Sequence, residues 1–198
     1  MADPAYIVNG VLTDGEAWVG IATTTLGSDT ASITFTSPDD GSSTDWSQFM
    51  DLMVIAYVAT DRAAVADLMV TRINSDTTAA NYAYQYLMGD GSSATAGSAT
   101  SGGRGVDSRS CAAASSTNIF SAITMAFSDV NSGKYKSVLV QTANDINAVS
   151  WQNNVVLTAV TWKSQAPMTS LTFSPNTGSN LAAGTMISLF GVLPRMVA

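Results

Sequence analysis

Across residues 81–88 the side chains alternate without a break, with Tyr82, Tyr84, Tyr86 and Met88 on one face and Ala83, Gln85 and Leu87 on the other. Period two is the mark of a β-strand, because successive side chains leave a pleated backbone on opposite sides. The pattern returns in residues 119–127, where Ile119, Ile123, Met125 and Phe127 share a face whose only polar member is Ser121. Further runs predict strands at residues 17–25, 32–36, 49–59, 68–73, 135–141, 155–162, 170–173 and 186–192. Between them stand Asn9-Gly10, Asp39-Asp40-Gly41, Asp90-Gly91, Asn131-Ser132-Gly133 and Pro175-Asn176-Thr177-Gly178. Each supplies residues that accept the backbone angles of a tight reversal. This punctuation predicts an all-β fold, a jelly-roll-like antiparallel β-sandwich with a long Gly/Ser/Ala-rich loop. Helical periodicity is nearly absent, and DRAAVAD at residues 61–67 is the one place where a turn or two of helix is expected.

Composition agrees. Fourteen of the fifteen acidic residues are Asp and only Glu16 is Glu, a bias toward turns and caps over helices. A chain of 198 residues is long enough to bury a full core as one domain, residues 1–198. Residues 1–15 are expected as an N-terminal arm and residues 194–198 as a C-terminal tail. Only 12% of residues are charged, against about 25% in an ordinary soluble protein. Such scarcity is expected where much of the surface ends against another protein.

Residues 89–117 are the most distinctive segment, because 23 of the 29 are Gly, Ala, Ser or Thr. Ordering such a stretch costs roughly 1 kcal/mol per residue and buries little in return. It is expected as an extended loop held down by neighbouring chains, an interface arm, with a path across its own sheet as the plainer reading. The tail at 194–198 is expected to share that role.

Most chemistry is excluded by absence. The chain has no histidine, which removes His-dependent triads and imidazole bases. With one cysteine, Cys111, there is no internal disulfide and no Cys-based metal cluster. A net charge of −7 with eight scattered basic residues leaves no patch for nucleic acid. Glycosidase chemistry needs only two carboxylates, but the Asp residues fall in turn signals such as Asp39-Asp40, Asp90 and Asp129. Asp39, Asp40 and Asp45 form the best candidate calcium loop, and Asp129, Asn131 and Gly133 a weaker one, though neither has the full ligand spacing. Gly102-Gly103-Arg104-Gly105 lacks the strand-to-helix setting of a phosphate loop. No catalytic, cofactor or metal site is therefore expected, and the chain is expected not to be an enzyme. No signal peptide, membrane span or membrane partner is expected either, since no apolar run approaches the ~18 residues a span needs.

The order of the segments resembles small virion proteins of tailed bacteriophages. It runs SITFTS at 32–37, FMDLMVIAYV at 49–58, VTRINSD at 70–76, NYAYQYLMGDGSS at 81–93 and FSDVNSGKYKSVLV at 127–140, and closes with TSLTFSPNTGSNLAAGTMISLFGV at 169–192. The resemblance implies a virion module on a capsid surface, head fibre or tail appendage, made in the host cytoplasm. Within it, capsid decoration is the expected role, since strand-like sequence begins by about residue 17 and leaves no length for a fibre shaft. Its expected partners are itself, as a homotrimer, and the major capsid or other virion proteins. A surface glycan is a further candidate partner, with Tyr82, Tyr84, Tyr86, Trp18, Trp46 or Trp151 as stacking platforms, which would make the chain a receptor-binding tail or head-fibre module.

Overall fold

The computed structural model of this chain describes residues 7–8, 11–12, 18–100, 104–112, 118–144 and 153–193. Among these residues lie fourteen strands: β1 Ile7–Val8, β2 Val11–Leu12, β3 Trp18–Thr25, β4 Ile33–Thr36, β5 Asp51–Val58, β6 Ala66–Ile73, β7 Tyr82–Gly89, β8 Ala94–Ala99, β9 Val106–Cys111, β10 Ser121–Ser128, β11 Lys136–Asn144, β12 Asn154–Trp162, β13 Ser170–Pro175 and β14 Met186–Val192. β1 and β2 pair with each other, and the remaining strands form two antiparallel sheets. The larger runs β3-β14-β5-β10-β11-β12-β7-β8 and the smaller β4-β13-β6-β9. The protein is an all-β sandwich in which the chain crosses repeatedly between the sheets, apart from the β7–β8 hairpin and the β10–β11–β12 meander.

Alternation sets which side chains fill the space between the sheets. Leu52, Val54, Ala56 and Val58 of β5 point inward, as do Ile123, Met125 and Phe127 of β10 and Val138 and Val140 of β11. They meet Ile33, Phe35, Met69, Ile73, Leu171 and Phe173 of the small sheet, with Trp46 and Phe49 closing one end. Fully burying a Val, Leu, Ile, Phe or Met side chain in this way stabilises the fold by about 1.5–3 kcal/mol relative to exposure.

The expected strands are all present, with shifts of a few residues at their ends. β10 starts at Ser121 rather than Ile119, because Ser121 is itself an anchor. Its hydroxyl accepts from the Cys111 amide at 2.9 Å and donates to Asn144 Oδ1 at 3.0 Å, while Cys111 Sγ lies 2.8 Å from the same oxygen. This buried cluster ties β9 to β10 and β11, and its buried polar groups find partners inside the protein. Residues 61–67 carry no helix. Asp61 instead accepts from the backbone and side-chain amides of Asn180. Asp67, buried, accepts from Thr60, Thr177 and Ser179 and pairs with Arg62 at 3.4 Å. Two 3₁₀ turns, Trp46–Gln48 and Ala79–Asn81, stand elsewhere.

The segment 89–117 departs most from expectation. Its first part continues β7 into β8, and Val106–Cys111 forms β9, antiparallel to β6. Val106 and Cys111 are fully buried, so β9 belongs to the core and not to an arm. Residues 101–103 and 113–117, the tail 194–198 and most of 1–15 lie outside the described residues, as do Asn9-Gly10 and Trp151.

Gly191 shows why a glycine sits in the closing block. A Cβ there would run into the ring of Phe49, which packs against the bare backbone of β14. Gly191→Ala is expected to cost about 1–3 kcal/mol through overpacking, lowering the melting temperature by several degrees. Calorimetry checks this, and an unchanged melting temperature contradicts the packing described.

Candidate functional site

Two surfaces stand out, and they are the two faces of the large sheet. On the side away from the core, register places side chains in rows across six strands. One row runs Met53, Ala126, Leu139, Ala159, Gln85 and Ser98; the next Ile55, Thr124, Gln141, Leu157, Leu87 and Ala96; the third Tyr57, Ala122, Ala143, Val155, Gly89 and Ala94. None of these three rows of six contains Asp, Glu, Lys or Arg. An ordinary surface, about 25–35% charged, would place about five charges there. Val155 is 69% exposed, Leu87 56% and Tyr57 52%, with Ile55, Leu139 and Leu157 also exposed.

On the inner side, the small sheet ends before the large one does. β9, the edge of the small sheet, lies against β10, β11 and β12, which leaves the inward-facing residues of β7 and β8 beyond its reach. A cleft of about 190 Å³ opens there between Tyr84, Tyr86 and Met88 on one wall and Leu68, Asp107 and Arg109 on the other. The rings of Tyr84 and Tyr86 stack with centroids 6.4 Å apart and planes 23° from parallel. Tyr86 lies across Gly97 of β8, where a Cβ would stand 2.6 Å from its ring.

The tyrosine stripe thus divides. Tyr82 is fully buried, its hydroxyl accepting from the Ile73 amide and donating to the Asp76 carbonyl. Burial pushes its pKa up to about 12, against the pull of the Ile73 amide. Tyr84 and Tyr86 face the cleft. Of the tryptophans named as platforms, Trp46 is buried, and Trp18 is exposed beside Phe190 at 6.1 Å.

Opposite the tyrosines, Asp107 Oδ1 is buried and has no hydrogen-bond partner among the described residues. Burial raises the Asp107 pKa, partly offset by the positive charges of Arg104 and Arg72. The Arg109 guanidinium reaches over the cleft to the Met88 thioether at 3.9 Å. Sequence reasoning found the tyrosines through their period but missed Asp107 and Arg109. They arrive on β9, whose small polar residues carry no alternation of hydrophobicity.

The candidate calcium loop is occupied by its own backbone. Asp45 caps the Trp46–Gln48 turn, accepting from Ser47 N at 2.9 Å, Gly41 N at 2.8 Å and Ser37 Oγ at 3.2 Å, while Asp40 accepts from Ser42 N. Asp129 adopts a positive φ of 56°, and Asn131 donates to the Trp46 and Phe49 carbonyls. Among the described residues no cluster of three His, Cys, Asp or Glu is placed to hold a metal ion. No helix among them is long and apolar enough to cross a membrane.

No protein-family model matches the chain, and no curated protein matches it. Among solved structures it is similar to Scytalido-glutamic peptidase with a peptide-based transition-state analogue, at 13% identity and a TM-score of 0.25, covering 88% of this chain and 69% of that one. The expectation that this chain is not an enzyme is therefore withdrawn, since the similar structure is that of an enzyme. At that TM-score the likeness carries no argument about activity, substrate or residues here.

The start of the tyrosine strand is pinned by Asp76. Its carboxylate accepts from Trp162 Nε1 at 2.8 Å, Asn81 Nδ2 at 2.7 Å and the Thr78 amide at 2.8 Å. Burial works to raise its pKa, but these donors together outweigh it and bring the pKa down to about 2, from an ordinary 3.8. A depressed folded-state pKa gives stability that is present above about pH 4 and lost as pH falls toward 2. After solvent screening the contribution is on the order of 1–2 kcal/mol. Asp76→Asn is expected to flatten the stability profile between pH 4 and 2, read by thermal melts across that range. An unchanged profile contradicts this assignment.

Proposed function

We propose that this chain is a structural subunit of a tailed-phage particle that packs against copies of itself through the outer face of its large sheet, with capsid decoration as the finer role. The observation that carries the reading is the uncharged outer face. Copies with a net charge of −7 repel one another over most of their surface, so close approach favours a face free of charge. Three rows across six strands cover on the order of 600 Å². That is the upper end of the largest patch on a typical monomer and near the ~800 Å² per partner of a standard interface.

Three copies suit such a face. Flat sheets set around a threefold axis form the sides of a prism, each uncharged face meeting two others, and the closed ring leaves no open filament. The segment order described above, resembling tailed-phage virion proteins, supports placing this subunit on a particle. Repetition over a lattice then lets modest contacts sum to strong attachment.

Leu157→Asp and Val155→Asp put charge into the middle of the face without touching the core. Light scattering on the purified chain is expected to show a trimer for the native sequence and a monomer for either variant, with melting temperature changed by no more than a few degrees. A native monomer at high micromolar concentration, or variants that still associate, would refute the reading.

A further inference from the structure

The cleft beside β7 and β8 lies on the face of the large sheet opposite the proposed assembly surface, so association leaves it open. Its volume, about 190 Å³, is below the ~300 Å³ at which pockets for drug-sized ligands begin, so its occupant is small. One wall is aromatic. Tyr84 and Tyr86, their rings 23° from parallel, both line it and offer aromatic surface of the kind that meets the C–H face of a sugar ring.

The other wall carries Arg109 of β9, with Arg72 of β6 and Arg104, just before β9, behind it, in a chain whose total is eight basic residues against fifteen acidic. Arg72 and Arg104 act electrostatically on Asp107, and Arg109 lies two residues along the same edge strand, lining the same cleft. Three positive charges beside one carboxylate leave a local excess within an acidic protein. Arg72 donates to Ser174 Oγ at 3.2 Å. Arg109 has, among the described residues, only the thioether contact with Met88, which leaves its donors for a ligand. A guanidinium binds a carboxylate through paired hydrogen bonds, and Asp107, which lines the same cleft, carries a carboxylate that can accept from a hydroxyl.

We infer that this cleft binds a sugar residue bearing a carboxylate, with the pyranose ring on Tyr84 and Tyr86, its carboxylate on Arg109 and a ring hydroxyl on Asp107. A neutral sugar leaves the Arg109 donors unmet, and a small anion without a ring leaves the tyrosines uncovered. The site therefore recognises the combination.

Titration of the ¹⁵N-labelled protein with D-glucuronic acid, D-glucose, acetate and inorganic phosphate separates these sources. Glucuronate is expected to bind in the millimolar range and shift the amides of β7, β8 and β9, with glucose at least fivefold weaker and acetate and phosphate leaving β7 and β8 unmoved. Arg109→Gln is expected to weaken glucuronate at least tenfold without changing the melting temperature. Gly97→Ala, which displaces the Tyr86 ring, tests the platform from the other wall and is expected to weaken it comparably. Leu157→Asp is expected to bind as the native chain does, so the cleft stands or falls apart from the assembly surface. Equal effects from glucose or acetate, no saturation with glucuronate, or retained affinity in Arg109→Gln would overturn the inference.

Discussion

The two sheets differ in width, and most of what is particular to this molecule follows from that mismatch. Eight strands at about 4.8 Å span roughly 38 Å, and four span about 19 Å. The small sheet can cover only part of the large one. Where it covers β5, β10, β11 and β12, it makes the core around Phe127, Phe173 and Leu52. Where it stops at β9, the inward side of β7 and β8 becomes a cleft wall, and tyrosines that would otherwise be core side chains become accessible.

The edge of the small sheet is held by polar contacts as well as apolar ones. β9 reads VDSRSC, and its inward Ser108 and Ser110 are buried, the Ser110 hydroxyl without a hydrogen-bond partner among the described residues. Ser108 Oγ donates to the Met69 carbonyl, and Cys111 joins Ser121 and Asn144 beneath the end of the strand. Satisfied buried polar groups specify one register, since a slip would orphan them. That register places Asp107 and Arg109 opposite the tyrosines.

Strands with large alternating side chains were legible in the sequence. β5, β7, β10, β12 and β14 fall where period two puts them, and the turns at Asp39, Gly91 and Gly178 adopt the positive φ their residue types suggest. β8 and β9 were not legible, because alternation of Ala with Thr, or of Ser with Asp and Arg, leaves no hydrophobic signal, and what orders them is pairing with β7 and β6. The tyrosine stripe was visible as a pattern, but its division into a buried Tyr82 and a cleft-facing pair depends on where β9 ends. The charge scarcity was visible as composition, and only register turned it into a face: in one dimension the uncharged residues of β5, β10, β11, β12, β7 and β8 are scattered over a hundred positions.

In the assembly we propose, the outer face of the large sheet is covered while its inner face at β7 stays open. Hydroxyl-radical footprinting read by mass spectrometry tests this on the native oligomer and on its diluted, dissociated form. Tyr57, Leu87 and Leu157 are expected to lose at least fivefold in labelling on assembly, while Tyr86 in the cleft and Tyr135, exposed on the loop before β11, label equally in both forms. Equal labelling of Tyr57 and Leu157 in the two states, or protection of Tyr86 instead, contradicts it.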